Sequence, residues 1–312
     1  MKPLNILCCS TCDSGPESRW VESGIRYLFR RVFAHRAVNW ILYGDNPDWL
    51  DEPLPEIDLV VATGSAEWTG RSFEKLLKLI GTLDVPWCFM GIDHPSDDKL
   101  RLTAEELAAL SGACVVVRNP PALNALAGAG IASCLLPCPS LFAAKIERPS
   151  RQCSTVGVVV QSESFDLKDK ILALVQALRR GYRVRVICND VDGAVELSNV
   201  LPEPALYGFD SGQFMSMLAS CDAIVSTAPG PAILGNSLLK PSILVGSDHC
   251  LAQSSKLYPY VLCRPPEQAN AALQAIDVDS FVRKLFNWKR DIEEKYLEVL
   301  RPWLSNHGFC LV

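Results

Sequence analysis

Short, continuous apolar runs alternate with amphipathic stretches along this whole chain. In the first half, residues 5–9 (Asn-Ile-Leu-Cys-Cys), 37–43, 59–64, 86–91, 113–118 and 134–137 read as strands. Helical patterns lie between them at 19–33, 72–82 and 121–127, and a capping box opens a further helix, with Thr103 as cap and Glu106 at its third position. The strand runs lack polar alternation, so both faces are expected to be buried. Strands of that kind joined by helices predict a parallel sheet covered on both sides.

Residues 144–154 interrupt the alternation with charge and a proline, as an inter-domain linker would. The pattern then restarts. Strands are predicted at 155–161, 183–188, 205–208, 223–226, 241–245 and 259–263, with helices at 167–180, 193–201, 211–222 and 232–239. The tail from 278 to 304 reads as one long amphipathic helix carrying Trp288 and Trp303. The expected fold class is α/β: two Rossmann-like lobes facing a cleft, each on a parallel sheet, with the C-terminal helix packing back on the first lobe. The corresponding boundaries are 1–147, 155–277 and 278–312.

Composition narrows the function classes. At 312 residues the chain suits two cores of about 150 residues each. A net charge of -5 without a basic stripe argues against nucleic acid as partner. The cluster Arg-Tyr-Leu-Phe-Arg-Arg at 26–31 reads as the solvated face of a helix. No apolar run reaches the ~18 residues a membrane span requires, and the N-terminal stretch is too short for a signal peptide. The 13 cysteines are odd in number, and Cys8, Cys9, Cys88, Cys114 and Cys188 fall inside predicted strands. Free thiols in a reducing cytoplasm are therefore expected. Cys8, Cys9 and Cys12 lack partners at zinc-site spacing, so neither a metal nor a cofactor is implied.

In open α/β sheets, ligands bind just beyond the carboxyl ends of the strands. The first strand exits into a polar loop with Ser10, Ser14 and Gly15. The third exits into Gly64, Ser65 and Glu67, the fourth into Asp93 and His94, and the fifth into Arg118. In the second half, residues 161–164 follow one strand. Ser226, Thr227, Gly230 and Ala232 follow another, and Asp248 and His249 a third. His94, Asp93, Glu67 and His249 are the candidate acids and bases. Arg118 suits an anion, because its planar fork matches carboxylate or phosphate. The Gly/Pro turn at 227–231 precedes a helix whose unpaired N–H groups would favour an anion. Each has a plainer alternative: Glu67 beside Trp68 as a helix cap, His94 as a solvated loop histidine, Arg118 in a salt bridge, the turn as packing only.

The same blocks resemble the polysaccharide pyruvyl transferase family. Asp-Leu-Val-Val-Ala-Thr-Gly (58–64) stands where that family shows an acidic residue, a strand and glycines, and Pro-Trp-Cys-Phe-Met-Gly (86–91) follows. Val-Val-Val-Arg-Asn (115–119) is similar to its Val-Val-Arg-Asp. Residues 218–226 and 238–243 look like its most recognisable block. The resemblance is diffuse and spans nearly the whole chain. It implies a two-lobed, GT-B-type fold. It also implies transfer of the enolpyruvyl-derived group of phosphoenolpyruvate onto a sugar in glycan or cell-surface polysaccharide precursors. Where that family carries Arg and His in a Ser-x-Arg-x-His segment, this chain has Ala228 and Gly230. Weak or no phosphoenolpyruvate binding is the expectation, with Arg118, Lys240 and Arg19 as the remaining cations. The turn is similar instead to the Gly-Pro turn of heptosyltransferase-like glycosyltransferases, which implies a nucleotide-sugar diphosphate at the helix start. Three readings stay open: a pyruvyl transferase, a GT-B-type glycosyltransferase using a nucleotide-activated sugar, and a degenerate member that binds a ligand or partner without catalysis. The first two imply a small anionic donor, phosphoenolpyruvate or a nucleotide sugar, together with a glycan acceptor.

Overall fold

A computed structural model describes residues 2–10, 16–34, 36–43, 55–63, 83–92, 104–144, 152–161, 168–188, 190–245 and 257–311. The chain divides into two compact units, Met1–Phe142 with Asp291–Val312, and Ala143–Arg290. Each is built on its own six-stranded sheet.

The first unit contains β1 (Leu4–Ser10), β2 (Val38–Tyr43), β3 (Leu59–Thr63), β4 (Trp87–Ile92), β5 (Cys114–Val117) and β6 (Cys134–Leu135). They lie in the order β2-β1-β3-β4-β5-β6, all parallel. Every residue of β3, β4 and β5 is buried, as continuous apolar runs require. Cys8, Cys9, Cys88 and Cys114 are buried free thiols there, and burial pushes the Cys8 thiol up to about 12. Helix α1 (Pro16–Val32) buries Trp20, Val21, Ile25, Leu28, Phe29 and Val32 along one stripe. Shorter helices α2 (Ala104–Ser111) and α3 (Pro120–Gly128) follow β4 and β5, and a 3-10 turn spans Pro139–Phe142.

The second unit contains β7 (Thr155–Val160), β8 (Arg183–Cys188), β9 (Leu206–Tyr207), β10 (Ala223–Ser226), β11 (Ser242–Val245) and β12 (Val261–Arg264). Their order is β12-β11-β10-β7-β8-β9, again all parallel. The helices are α4 (Lys168–Leu178), α5 (Val191–Ser198), α6 (Ser211–Ala219), α7 (Pro229–Ser237) and α8 (Pro266–Gln274). One core joins Val156, Val158 and Val160 to Leu174, Leu178, Leu197, Val225, Ile243 and Leu273. Asp222 fixes the start of β7: its carboxylate accepts from the N–H groups of Ser154 and Thr155 and from the Ser154 hydroxyl, at 2.7–2.9 Å.

The final helix, α9 (Val278–Asn306), is 29 residues long. From Asp291 onward it belongs to the first unit, so the C-terminal helix does pack on the first lobe. Glu293 accepts from the Tyr27 hydroxyl at 2.9 Å and from Arg31 Nε at 2.5 Å. Tyr296, fully buried, donates to Pro137 O at 2.6 Å and meets Phe142 edge-on. The cluster 26–31 is therefore partly a docking face for α9. Burial, followed by the bond to Glu293, pushes the Tyr27 hydroxyl up to about 12, which keeps it a donor.

One helix escaped the hydrophobic pattern, and another begins earlier than the pattern indicated. The helix Pro266–Gln274 has the sequence Pro-Glu-Gln-Ala-Asn-Ala-Ala-Leu-Gln, whose small, low-contrast side chains carry little periodicity. The helix expected to open at residue 232 begins at Pro229, because Pro at the first helical position is already set at the helical φ. The expected helix at 72–82 and its predecessor loops, the cap Thr103, and most of the 144–154 linker lie outside the described residues.

Candidate ligand-binding site

The carboxyl edge of the second sheet is the best-defined surface of the kind that binds ligands in α/β folds. The chain leaves β10 at Ser226, passes Thr227 and Ala228, and enters α7 at Pro229. Ser226 is fully buried; its Oγ accepts the Ala228 N–H at 3.0 Å and donates to Ala228 O at 2.7 Å. Thr227 donates its N–H to Val159 O at 3.0 Å, and its Oγ1 accepts the Gln161 N–H at 3.1 Å. These bonds lock the exit of β10 to the exit of neighbouring β7.

The turn is consequently poorer in free donors than its composition suggests. Ala228 is the N-cap, at φ -125° and ψ 148°, and supplies no side-chain cap. Pro229 and Pro231 have no N–H. Of the first three helical positions, Gly230 alone carries a donor that an anion could use. Ala228 and Gly230, where the pyruvyl transferase resemblance implies Arg and His, bring no charge, and the Ala228 methyl is buried.

What the site has is rigidity. Residues 231–239 are all buried. A Cβ on Gly235 would stand 2.2 Å from Ser242 Oγ and 3.0 Å from Ile224 Cγ1, so only glycine seats α7 this close to β10 and β11. The far end of α7 closes in a Schellman-type turn, with Lys240 N donating to Gly235 O at 2.8 Å and Leu239 in the left-handed region at φ 58°. Lys289, buried, donates from Nζ to Ser237 O at 2.8 Å, adding a cation at the negative end of the helix. Asn236 Nδ2 bonds Lys240 O and Tyr260 O at 3.3 and 3.2 Å. Lys289→Met is expected to lower the stability of the second unit by about 1.5–3 kcal/mol, since the charge-assisted bond to the Ser237 carbonyl is lost. Urea denaturation would measure it; an unchanged midpoint would show that the ammonium does not hold α7.

Three strand spacings away on the same edge, about 14 Å, β9 ends at an aromatic pair that sequence reasoning overlooked. Phe209 is 81% exposed, and its ring meets Tyr207 edge-on at 5.3 Å. Its backbone is pinned: Phe209 N donates to Gln213 Oε1 at 3.1 Å, and Asp210 caps α6 by accepting the Gln213 N–H at 2.7 Å. The signal available in the sequence was an aromatic directly between a strand and an Asp-Ser-Gly cap.

Among the other candidates, Arg118 lies half-buried at the exit of β5. Its N–H bonds Ile92 O at 2.7 Å and its guanidinium reaches Cys138 Sγ at 3.7 Å, so it sits beside the exit of β4. Asn119 caps α3 through the Ala122 N–H at 3.0 Å. Ser10 ends β1 opposite Thr63, the last residue of β3. Lys240 turns its ammonium onto Ala219 O and Cys221 O, the end of α6, and Arg19 is an exposed residue 3.5 Å from Glu22. Ser14, Gly15, Gly64, Ser65, Glu67, Asp93, His94, Asp248 and His249 lie outside the described residues. No helix among the described residues is long and apolar enough to cross a membrane.

No family model matches the chain, and no curated protein matches it in sequence. Solved structures do match in fold. The UDP-GlcNAc 2-epimerase of Methanocaldococcus jannaschii has a TM-score of 0.53 at 13% identity, covering 88% of this chain and 92% of its own. The UDP-N-acetylglucosamine 2-epimerase of Rickettsia bellii gives 0.51 at 11% identity, with 98% of both chains covered. The UDP-GlcNAc 2-epimerase of Neisseria meningitidis, solved bound to UDP-GlcNAc, gives 0.50 at 10% identity, with 96% of both covered. At such identities the likeness is one of fold: a GT-B-like α/β fold with two lobes, each on a six-stranded parallel sheet.

Proposed function

We propose that this protein is a GT-B-type enzyme that takes a nucleotide-activated sugar. The diphosphate would lie against the start of α7 and the base against Phe209 and Tyr207. The observation that carries the reading is the carboxyl edge of the second sheet. It combines a rigidly seated helix start with one free N–H and an exposed aromatic, in the fold that UDP-sugar enzymes share over nearly the full chain. A helix start stabilises a diphosphate through its dipole and N–H groups without needing a side-chain cation. That suits a turn reading Ala-Pro-Gly-Pro. Pyruvyl transfer is supported less well, because phosphoenolpyruvate carries about three negative charges in a small volume and would meet Ala228 and Gly230 where cations are needed. On the second unit itself, His249 is the candidate acid or base that would act on the sugar, by epimerisation or glycosyl transfer.

Calorimetry with UDP, UDP-GlcNAc and phosphoenolpyruvate tests this. UDP and its sugar are expected to bind in the micromolar range, and phosphoenolpyruvate not measurably. Tight phosphoenolpyruvate binding abolished by Arg118→Ala would instead establish the pyruvyl transferase reading. Within the preferred reading, Gly230→Pro removes the donor and should weaken UDP by about tenfold, whereas Gly230→Ala retains the N–H and should bind as the parent does. Equal affinities of the two variants would show the turn to be packing alone.

A further inference from the structure

Strand β8 runs over six residues, yet β9 pairs with it only at Ile187 and Cys188. Beside Arg183 to Val186 that edge has no neighbouring strand among the described residues. Arg183 N donates to Ser154 O at 2.9 Å, on the β7 side. Main-chain groups alternate sides along a strand, so Val184 turns its N–H and C=O toward the open edge. The chain entering β9 diverges from β8, and the wedge between them is a cavity of about 430 Å³.

Its walls are basic in a chain of net charge -5. Arg183 and Arg185 rise from one face of β8, and Arg179, just past the end of α4, approaches from the other. Against these three stands Glu203, whose side chain is 74% exposed and only 3.7 Å from Arg179 at best. Arg185 donates to Ser220 Oγ at 2.6 Å, which holds its guanidinium in place. Arg183 is exposed and makes no ion pair with the described residues. The floor is apolar, formed by Val184, Val186, Pro204 and Leu206.

We infer that this edge is a strand-addition site for an extended acidic peptide of a partner protein. Its backbone would continue the sheet at Val184, with carboxylates at alternate positions meeting Arg183 and Arg185. Strand addition supplies main-chain hydrogen bonds, and side chains at every second position supply the selection. A second copy of this chain is the wrong occupant, because pairing two such edges sets arginine opposite arginine. The wedge lies at the amino end of β8, whereas the ligand site is at the carboxyl edge of the sheet, so the two can be occupied independently.

The test uses the full chain and capped hexapeptides alternating Val with Glu, alternating Val with Lys, and the Glu peptide N-methylated at alternate residues. Calorimetry at low salt is expected to show binding of the first peptide only. Hydrogen exchange should show the Val184 amide newly protected. Arg183→Glu should weaken binding by roughly tenfold or more, and Arg183→Gln by less, both at one exposed position where the circular dichroism should stay unchanged. Binding of the N-methylated peptide as tight as the parent's would reduce the site to an ionic patch. No binding of the acidic peptide, or equal binding of the lysine peptide, would overturn the inference.

Discussion

Gly24→Ala is expected to lower the stability of the first unit by upwards of about 3 kcal/mol, at the high end of overpacking costs. The reason is geometric. A Cβ at residue 24 would stand 1.7 Å from Pro139 O and 2.4 Å from its carbonyl carbon, both backbone atoms of the turn Pro139–Phe142. Neither can rotate away, so α1 must lift off or the turn must move. Lifting α1 also strains the Glu293 contacts with Tyr27 and Arg31, and through them the seat of α9. The ordinary helical preference for alanine over glycine, about 1 kcal/mol, runs the other way and is overwhelmed. Gly128→Ala is the control: nothing lies within 4 Å of its Cβ, so helix propensity should leave that variant unchanged or slightly more stable. Urea unfolding of both variants decides it. A Gly24→Ala midpoint equal to that of Gly128→Ala would mean that α1 does not approach the turn this closely.

The second large effect concerns the ligand site. Gly235→Val should lower the stability of the second unit by about 1–3 kcal/mol and weaken UDP binding at least tenfold, because α7 is pushed off β10 and β11. Ser242 Oγ is the nearest obstacle, at 2.2 Å from the added Cβ, with Ile224 next. A double-mutant cycle separates the contact from other losses: Ser242→Ala should recover part of the penalty of Gly235→Ala, giving a non-zero coupling. If Gly235→Val loses stability but retains UDP affinity, the position of α7 does not matter to the ligand. If it retains both, the close seating itself is wrong.

The sequence carried the architecture because burial on two faces writes itself locally. Residues 59–63 and 223–226 read as strands without reference to anything distant, and a run buried on both faces belongs in a parallel sheet. The long C-terminal helix was legible for the same reason: its apolar stripe repeats at the helical period over many turns. Its packing on the first lobe was expected as part of the two-lobed architecture. Its anchors were not, since Glu293 and Tyr296 meet Tyr27, Arg31 and Pro137 across well over a hundred residues.

The site was legible only in outline. The exit of β10 could be placed, and its Gly/Pro composition pointed to a helix start. How many N–H groups remain there depended on where the helix begins, and Pro229 moved that point by three residues. Lys240 looked like an available cation until its ammonium was found on the carbonyls that end α6, and Arg118 likewise has Cys138 as a neighbour. Phe209 was passed over despite its place before the Asp-Ser-Gly cap, because an aromatic beside a strand is read as core until its 81% exposure is known. The sequence by itself determined the period, length and order of the elements, which depend on neighbours a few residues apart. The tertiary structure alone decided which glycines must stay glycine, which charges are engaged and which strand edge is left open. Those depend on atoms brought together from distant parts of the chain, and a linear pattern holds no record of such distances.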